Sequence, residues 1–94
     1  MNCNTINWRK HALERMLERE ISRAEVKQVI KDGTLLESYD EDKPFPSKLL
    51  FLVVNKRPIH IVIAKDILTN ECYIITAYEP TISYFLDDFM RRKI

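Results

Sequence analysis

The sequence has little of what marks several large classes of protein. It contains two cysteines, two histidines and a single glycine among 94 residues. Cys3 and Cys72 lie far apart and form no CxxC pair, and no HxxxH pattern is present. We therefore expect no metal site and no cofactor. Cys72, in an apolar segment, is interpreted as a small core residue, and Cys3 as part of a frayed terminus.

Long apolar segments and a large excess of charge are also missing. The longest apolar run, Leu49 to Val54, is too short to cross a bilayer. The first seven residues lack the apolar region of a signal peptide, so we expect a cytoplasmic protein with no membrane partner. The net charge of +1 is lower than that of most dedicated nucleic-acid-binding domains. No DNA binding is expected, and an anion site would need local clustering of Lys and Arg.

What remains is typical of an ordinary globular chain. Hydrophobic residues make up 46% and charged residues 31% of the sequence. At this length we expect one domain, residues 1–94, with one modest core. Repeats and low-complexity segments are absent.

The segment Trp8 to Arg19 predicts an amphipathic helix, with Asn7 as its candidate N-cap. On a helical wheel, one arc is apolar and contains Trp8, Ala12, Leu13, Met16 and Leu17. His11, Arg15 and Arg19 follow one another at intervals of four and form a column along the rim of that arc. Imidazole and guanidinium groups in one column suggest a site for a ligand that bears phosphate.

A second helix follows directly. Ser22 and Glu25 form the sequence pattern of a capping box. Val26, Val29 and Ile30 supply its buried stripe. The single glycine, Gly33, stands where a left-handed C′ residue would end the helix.

Beyond Gly33 the pattern predicts strands. We assign four of them, Thr34–Asp40, Ser47–Asn55, Ile59–Lys65 and Cys72–Glu79. The proline-containing segment Glu41 to Pro46 is expected to be a stiff turn, structural or a contact for a partner. Residues 81–94 are expected to dock as a helix or an extended arm. The predicted fold class is α+β, with two N-terminal helices packed on a four-stranded antiparallel sheet.

The second histidine lies in the third predicted strand. Its neighbours Ile59, Ile61 and Ile63 should face the core, and His60 the other side of the sheet. A hairpin with the fourth strand would bring His60 opposite Thr76 or Tyr78, although a slip of one residue would reverse the face.

These residue types suit cleavage of a phosphodiester without metal. Histidine exchanges a proton near neutral pH, and arginine offers a fork of donors to phosphate oxygens. In RNA the 2′-hydroxyl is the internal nucleophile. The protein therefore needs only to position that hydroxyl, remove its proton and neutralise the charge that develops on the phosphate.

Each candidate also has a purely structural interpretation. His11 can be a surface or capping histidine, and Arg15 and Arg19 can pair with neighbouring glutamates. His60 can be a core histidine with satisfied hydrogen bonds. The tyrosines can serve packing, and the Arg91-Arg92-Lys93 segment can simply be a soluble end.

Several short motifs, in this order and spacing, carry a resemblance to a known family. They are His11–Arg19 (HALERMLER), Ile21-Ser22, Tyr39, Asp42–Ser47 (DKPFPS), Arg57–Val62 (RPIHIV) and Ile75–Pro80 (ITAYEP). Together they resemble the small bacterial proteins grouped as domain-of-unknown-function family DUF4258, from about Trp8 to Lys93.

The resemblance implies the ribonuclease fold group of barnase, EndoU, the colicin D and E5 nucleases and the RelE toxins. It implies an endoribonuclease toxin of a type II toxin–antitoxin pair, with RNA and an antitoxin, a zinc-finger protein of the MqsA/YgiT kind, as partners. Catalytic roles are then assigned to His11, Arg15, His60 and Tyr78. Substrate-binding roles are assigned to Arg19, Thr76 and Arg91.

Two other functions stay open. The first is a non-catalytic protein-interaction module that uses a face of the sheet or the terminal arm. The second, a small-molecule enzyme, is disfavoured by the small core and the absence of a cofactor motif. The nuclease hypothesis requires the rim of the first helix to meet the His60 face of the sheet.

Overall fold

Seven elements follow one another in the structure, a computed structural model that describes residues 1–80. They are β1 (Thr5–Trp8), α1 (Lys10–Glu18), α2 (Arg23–Asp32), β2 (Thr34–Tyr39), β3 (Ser47–Val54), β4 (Arg57–Asp66) and β5 (Glu71–Tyr78). The predicted terminal helix or arm, with Arg91, lies outside the described residues. No helix in residues 1–80 is long and apolar enough to cross a membrane.

The sheet has five strands in the order β1-β5-β4-β3-β2. Strands β2 to β5 pair antiparallel with their neighbours, whereas β1 runs parallel to β5. The α+β class is therefore confirmed, and the prediction of a four-stranded antiparallel sheet is wrong. The strand has only four residues, too few for its polar–apolar alternation to stand out, and Trp8 also fits the apolar arc of the predicted helix. Its partner also lies at the other end of the described chain.

The segment before α1 is held firmly to β5. Ile6 pairs with Cys72 and Trp8 with Ile74, and a disulfide joins Cys3 to Cys72 across 69 positions of sequence. The interpretation of Cys3 as part of a frayed terminus is therefore wrong. Cys72 is fully buried, as expected, but it is half of a disulfide. Nothing in the spacing of the two cysteines indicates that parallel pairing brings them together.

Helix α1 is shorter than predicted. It begins at Lys10 with Arg9 at the N-cap position, because Trp8 belongs to β1. Asn7 is not the N-cap; its side-chain amide donates to the carbonyl of Cys72 at 3.1 Å. Ala12 and Met16 are buried, but Leu17 is 81% exposed, so the apolar arc that packs is narrower than the wheel suggests.

Helix α2 begins after Ser22 and ends at Gly33 as predicted, but Gly33 does not have the predicted conformation. The Ser22 hydroxyl accepts from the backbone N–H of Glu25 at 3.0 Å, and the Glu25 carboxylate accepts from the N–H of Ser22 at 2.9 Å. Gly33 has φ −69°, so it is not in the left-handed region that we expected. A Cβ atom at this position would lie 2.4 Å from the carbonyl oxygen of Val29. Glycine is needed here because the backbone passes so close to the end of the helix.

The core lies between the two helices and one face of the sheet. As predicted, Ile59, Ile61 and Ile63 of β4 are fully buried on this face, where they join Val26 and Val29 of α2 in one cluster. Burying side chains of this size provides most of the stabilisation of a small domain.

The other face carries a row of rings across three strands. In the register of the sheet, Phe51 pairs with His60, and His60 pairs with Tyr78. The prediction that His60 lies opposite Thr76 or Tyr78 is thus confirmed for Tyr78. Past this row the register of β4 and β5 shifts between Val62 and Ile63. Such a bulge redirects side chains locally.

Candidate functional site

A cleft of about 280 Å³ opens between the start of α1, the turn before β3 and strand β5. The polar and aromatic side chains among its lining are Arg9, His11, Asp42, Lys43, Phe45 and Tyr73. Small side chains make room for it. Tyr73 pairs in the sheet with Ala64, and both Ala64 and Ala12 line the cleft.

Two stacked rings form the aromatic part of the cleft. The rings of Phe45 and Tyr73 are 5.4 Å apart between centroids, with an interplanar angle of 13°. The guanidinium carbon of Arg9 lies 5.3 Å from the centroid of the Tyr73 ring, within the range of a cation–π interaction. A flat group can stack on such an aromatic surface while an anion attached to it pairs with the guanidinium.

The hydroxyl of Tyr73 is biased towards its protonated form. Its partial burial, together with the neighbouring carboxylates of Glu71 and Asp66, raises the pKa of Tyr73, and nearby Arg9 offsets part of that increase. The hydroxyl donates to the carboxylate of Glu71 at 3.5 Å. The phenol therefore retains its proton at neutral pH and can act as a donor.

Basic side chains outnumber acidic ones among the described residues that line the cleft. Arg9 and Lys43 are basic side chains, and Asp42 is the one carboxylate among the described lining residues. The side chain of His11 is 96% exposed, with Nδ1 3.8 Å from a carboxylate oxygen of Glu14. A solvent-exposed imidazole can exchange protons and adds a further positive charge when protonated. The lining itself thus has more basic than acidic side chains, and the carboxylates of Glu14, Glu71 and Asp66 lie close beside it.

The other cations of α1 lie elsewhere. Arg15 is exposed and pairs with Glu18 at 3.1 Å. Arg19 donates to the carbonyl of Ala77 at 2.8 Å and to the hydroxyl of Thr76 at 3.4 Å. The structure thus brings two predicted site residues, Arg19 and Thr76, together, in a contact that holds the end of α1 to β5.

His60 and Tyr78 form a separate pair within the sheet. His60 is fully buried, and its ring centroid lies 5.4 Å from that of Tyr78 and 5.4 Å from that of Phe51. His60 is not among the residues that line the cleft at His11. The predicted catalytic residues therefore do not meet in one place.

Sequence reasoning missed most of the cleft. Lys43 and Phe45 lie in the proline-containing turn, for which a partner contact was one interpretation, and Tyr73 was interpreted as a packing residue. Arg9 stood next to the predicted column but outside its spacing of four. In residues 1–80 no group of three His, Cys, Asp or Glu side chains is arranged to hold a metal ion.

Comparison with known proteins identifies one family. The family model described as "Domain of unknown function (DUF4258)" matches residues 8–79. This span includes every residue named above as lining the cleft. No curated protein and no solved structure matches the chain.

Proposed function

The chain belongs to the DUF4258 family of domains of unknown function, and we propose that it is a metal-independent endoribonuclease with its active site in the cleft at His11. The observation that carries this proposal is the convergence of an exposed imidazole, two further basic side chains and a stacked aromatic pair in one opening of about 280 Å³.

In this proposal the cleft binds RNA through two kinds of contact. Arg9 and Lys43 neutralise backbone phosphates, which is the main source of affinity for nucleic acid. The rings of Tyr73 and Phe45 provide a platform for an unstacked base. Base stacking of this kind is sequence-tolerant and suits single-stranded RNA.

The chemistry needs one proton acceptor and one proton donor. His11 removes the proton of the 2′-hydroxyl, whose oxygen then attacks the adjacent phosphorus. The bond from phosphorus to the 5′-oxygen breaks, and that oxygen takes a proton from the Tyr73 hydroxyl, which is protonated at neutral pH. Arg9 stabilises the charge that develops on the phosphate oxygens. The products are a 2′,3′-cyclic phosphate and a free 5′-hydroxyl.

This assignment changes the roles that the sequence suggested. His60 is fully buried, so we give it and its neighbour Tyr78 a packing role. Arg19 and Thr76 serve to fix α1 on the sheet, and exposed Arg15 stays outside the reaction. Only His11 of the predicted catalytic set keeps its proposed role.

The proposal includes the biological role that family resemblance suggests. As a toxin of a type II pair, the enzyme would act on cellular RNA until an antitoxin, in our proposal a zinc-finger protein of the MqsA/YgiT kind, covers the cleft. Support for this role comes from the resemblance alone. Arrest of growth on induction, abolished by His11→Ala, is the expected result.

Two substrates and a chelator test the chemistry. We expect a single-stranded RNA to be cut in the presence of EDTA and to yield 2′,3′-cyclic phosphate ends. The same oligomer made with 2′-deoxynucleotides should remain intact because it lacks the nucleophile. Cleavage of the DNA oligomer, or an absolute need for a divalent metal, would show that the proposed mechanism is wrong.

The second candidate function is a non-catalytic protein-interaction module. It is favoured by the turn between β4 and β5, where Ile67 is 74% and Leu68 90% exposed. Adjacent exposed apolar side chains are suited to bind a protein partner. The double substitution Ile67→Ser with Leu68→Ser tests this surface. If the surface mediates the arrest of growth on induction, the double variant should no longer arrest growth. If the cleft is the active site, the double variant should cleave RNA at the wild-type rate.

A further inference from the structure

Asp42 is the single acidic side chain among the described residues that line the cleft. A carboxylate in an RNA site repels phosphate, so its presence there needs an explanation. We propose that Asp42 selects guanine as the base held in the cleft. This inference rests on the proposed function, because it assumes that RNA binds there.

The carboxylate of Asp42 is held in place by the protein. One of its oxygens, Oδ2, accepts a hydrogen bond of 2.6 Å from the hydroxyl of Ser47, and Ser47 is only 1% exposed. The backbone N–H of Asp42 also donates to the carbonyl of Tyr39 at 3.2 Å. A side chain fixed by a buried partner has little rotamer freedom left to lose when a ligand binds.

Hydrogen-bonding capacity remains on that carboxylate. An ionised carboxylate has two acceptor oxygens with about four lone-pair positions and no donor. The Ser47 hydroxyl uses one of these positions, and in residues 1–80 no other side chain donates to Asp42. The group in the cleft therefore offers acceptors only.

Guanine is the base that matches a pair of acceptors. Its N1–H and its exocyclic N2–H lie side by side on the Watson–Crick edge and can meet both oxygens of one carboxylate. Adenine and cytosine each place a ring acceptor nitrogen beside the amino group, and uracil has one N–H between two carbonyl oxygens. Each of those three edges would bring an acceptor against the negative charge of Asp42.

The neighbours of Asp42 agree with this placement. Phe45 follows it in the same turn and stacks on Tyr73, so a base on this platform would have its edge near the turn. Lys43 and Arg9 also line the cleft and offset the repulsion between the carboxylate and the backbone phosphates. Base recognition and phosphate binding thus use separate groups.

Binding of uncleavable RNA tests the inference. The probes are fluorescent 2′-O-methyl uridine hexamers with guanosine, inosine, adenosine or uridine at one central position, titrated against wild-type protein. We expect guanosine to bind at least about tenfold more tightly than adenosine or uridine. Inosine, which keeps N1–H but lacks the N2 amino group, should lose a large part of that preference.

Two variants in the same turn form a matched pair. Asp42→Asn keeps an oxygen that can accept from Ser47 but removes the charge and one acceptor, so it should abolish the preference for guanosine. Glu41→Gln makes the same chemical change at an exposed neighbour that does not line the cleft, and it should retain the preference. Circular dichroism of both variants checks their fold, and the comparison of bases on wild-type protein does not depend on either variant.

The outcomes separate the two proposals. Equal affinity for all four hexamers would overturn the selection of guanine and leave RNA binding in place. Retention of the guanosine preference by Asp42→Asn would also overturn it. Absence of binding to any hexamer would overturn both the inference and the proposed function.

Discussion

The guanidinium of Arg9 lies over the ring of Tyr73, with its central carbon 5.3 Å from the ring centroid. This contact joins the start of α1 to β5, two parts of the chain more than sixty residues apart. It exists because β1 runs parallel to β5 and pairs Asn7 with Tyr73, so the chain leaves β1 beside that ring. The edge strand that the sequence did not reveal therefore positions one side of the cleft.

Removal of Arg9 should weaken RNA binding without unfolding the protein. Arg9→Ala deletes a phosphate contact and a cation–π partner, so we expect about a tenfold loss of affinity and a fall of about one in the salt slope of binding. The control is Lys10→Ala, since Lys10 is 85% exposed, lies 3.9 Å from Glu14 and does not line the cleft. Equal losses in the two variants would mean that the effect is one of net charge only.

Reduction of the Cys3–Cys72 disulfide should destabilise the fold. A crosslink that closes a loop of 69 residues restricts the unfolded chain, and removal of native disulfides typically costs about 2–5 kcal/mol. Urea unfolding with and without dithiothreitol measures the difference. Cys3→Ser should show the lower stability with and without dithiothreitol. A wild-type free energy of unfolding that does not change with dithiothreitol would contradict the prediction.

The contact of Arg19 with β5 should contribute to stability, whereas the surface pair of Arg15 should not. Arg19→Met loses a 2.8 Å hydrogen bond to the carbonyl of Ala77, and we expect a loss of about 1 kcal/mol in the free energy of unfolding. Arg15→Met loses an exposed ion pair with Glu18, worth at most about 0.5 kcal/mol. Chemical unfolding of the two variants side by side distinguishes them, and equal losses would count against the anchoring role of Arg19.

Glu25 should make stability depend on pH in the acid range. Partial burial tends to raise the pKa of its carboxyl, but hydrogen bonds from Ser22 and Asn55 and the charge of Arg57 outweigh burial and lower the pKa below 4.5. A lowered folded-state pKa gives stability that is complete above the unfolded pKa and is lost as pH falls through the folded value.

The comparison variant is Glu25→Gln, which can still form a capping box. At neutral pH it should be less stable than wild type by about 1 kcal/mol, since the pair with Arg57 is partly accessible to solvent. The difference in free energy of unfolding between wild type and Glu25→Gln should become smaller as pH falls below about 4.5. A difference that is the same at pH 7 and pH 3 would contradict the assigned role of Glu25.

Local patterns were enough to predict most of the fold. The capping box at Ser22, the isoleucine face of β4 and the opposition of His60 and Tyr78 each depend on neighbours in sequence or on one hairpin. β1 and the disulfide could not be predicted in this way because both depend on a parallel pairing between the two ends of the described chain. The wheel drawn through Trp8 starts α1 two residues before its observed first residue, Lys10.

The cleft was harder to predict than the fold. Its residues come from the start of α1, from a turn and from β5, and each has an ordinary structural interpretation when taken alone. His11 was identified because it belongs to a polar column on the helical wheel. In the structure, however, Arg19 of that column donates a hydrogen bond to the backbone of β5. What Arg9 and Lys43 share with His11 is their position in space, which depends on the five-stranded topology.

The central claim is that His11 transfers a proton in an RNA-cleaving cleft, and the rate of RNA cleavage by His11→Ala in EDTA tests it most directly. The His11 side chain is 96% exposed, so the substitution should leave the fold intact, with Lys10→Ala as the neighbouring control. We predict a loss of about 10²–10⁴-fold for His11→Ala and a near wild-type rate for Lys10→Ala. A wild-type rate for His11→Ala, or no cleavage by the wild-type protein, would contradict the claim.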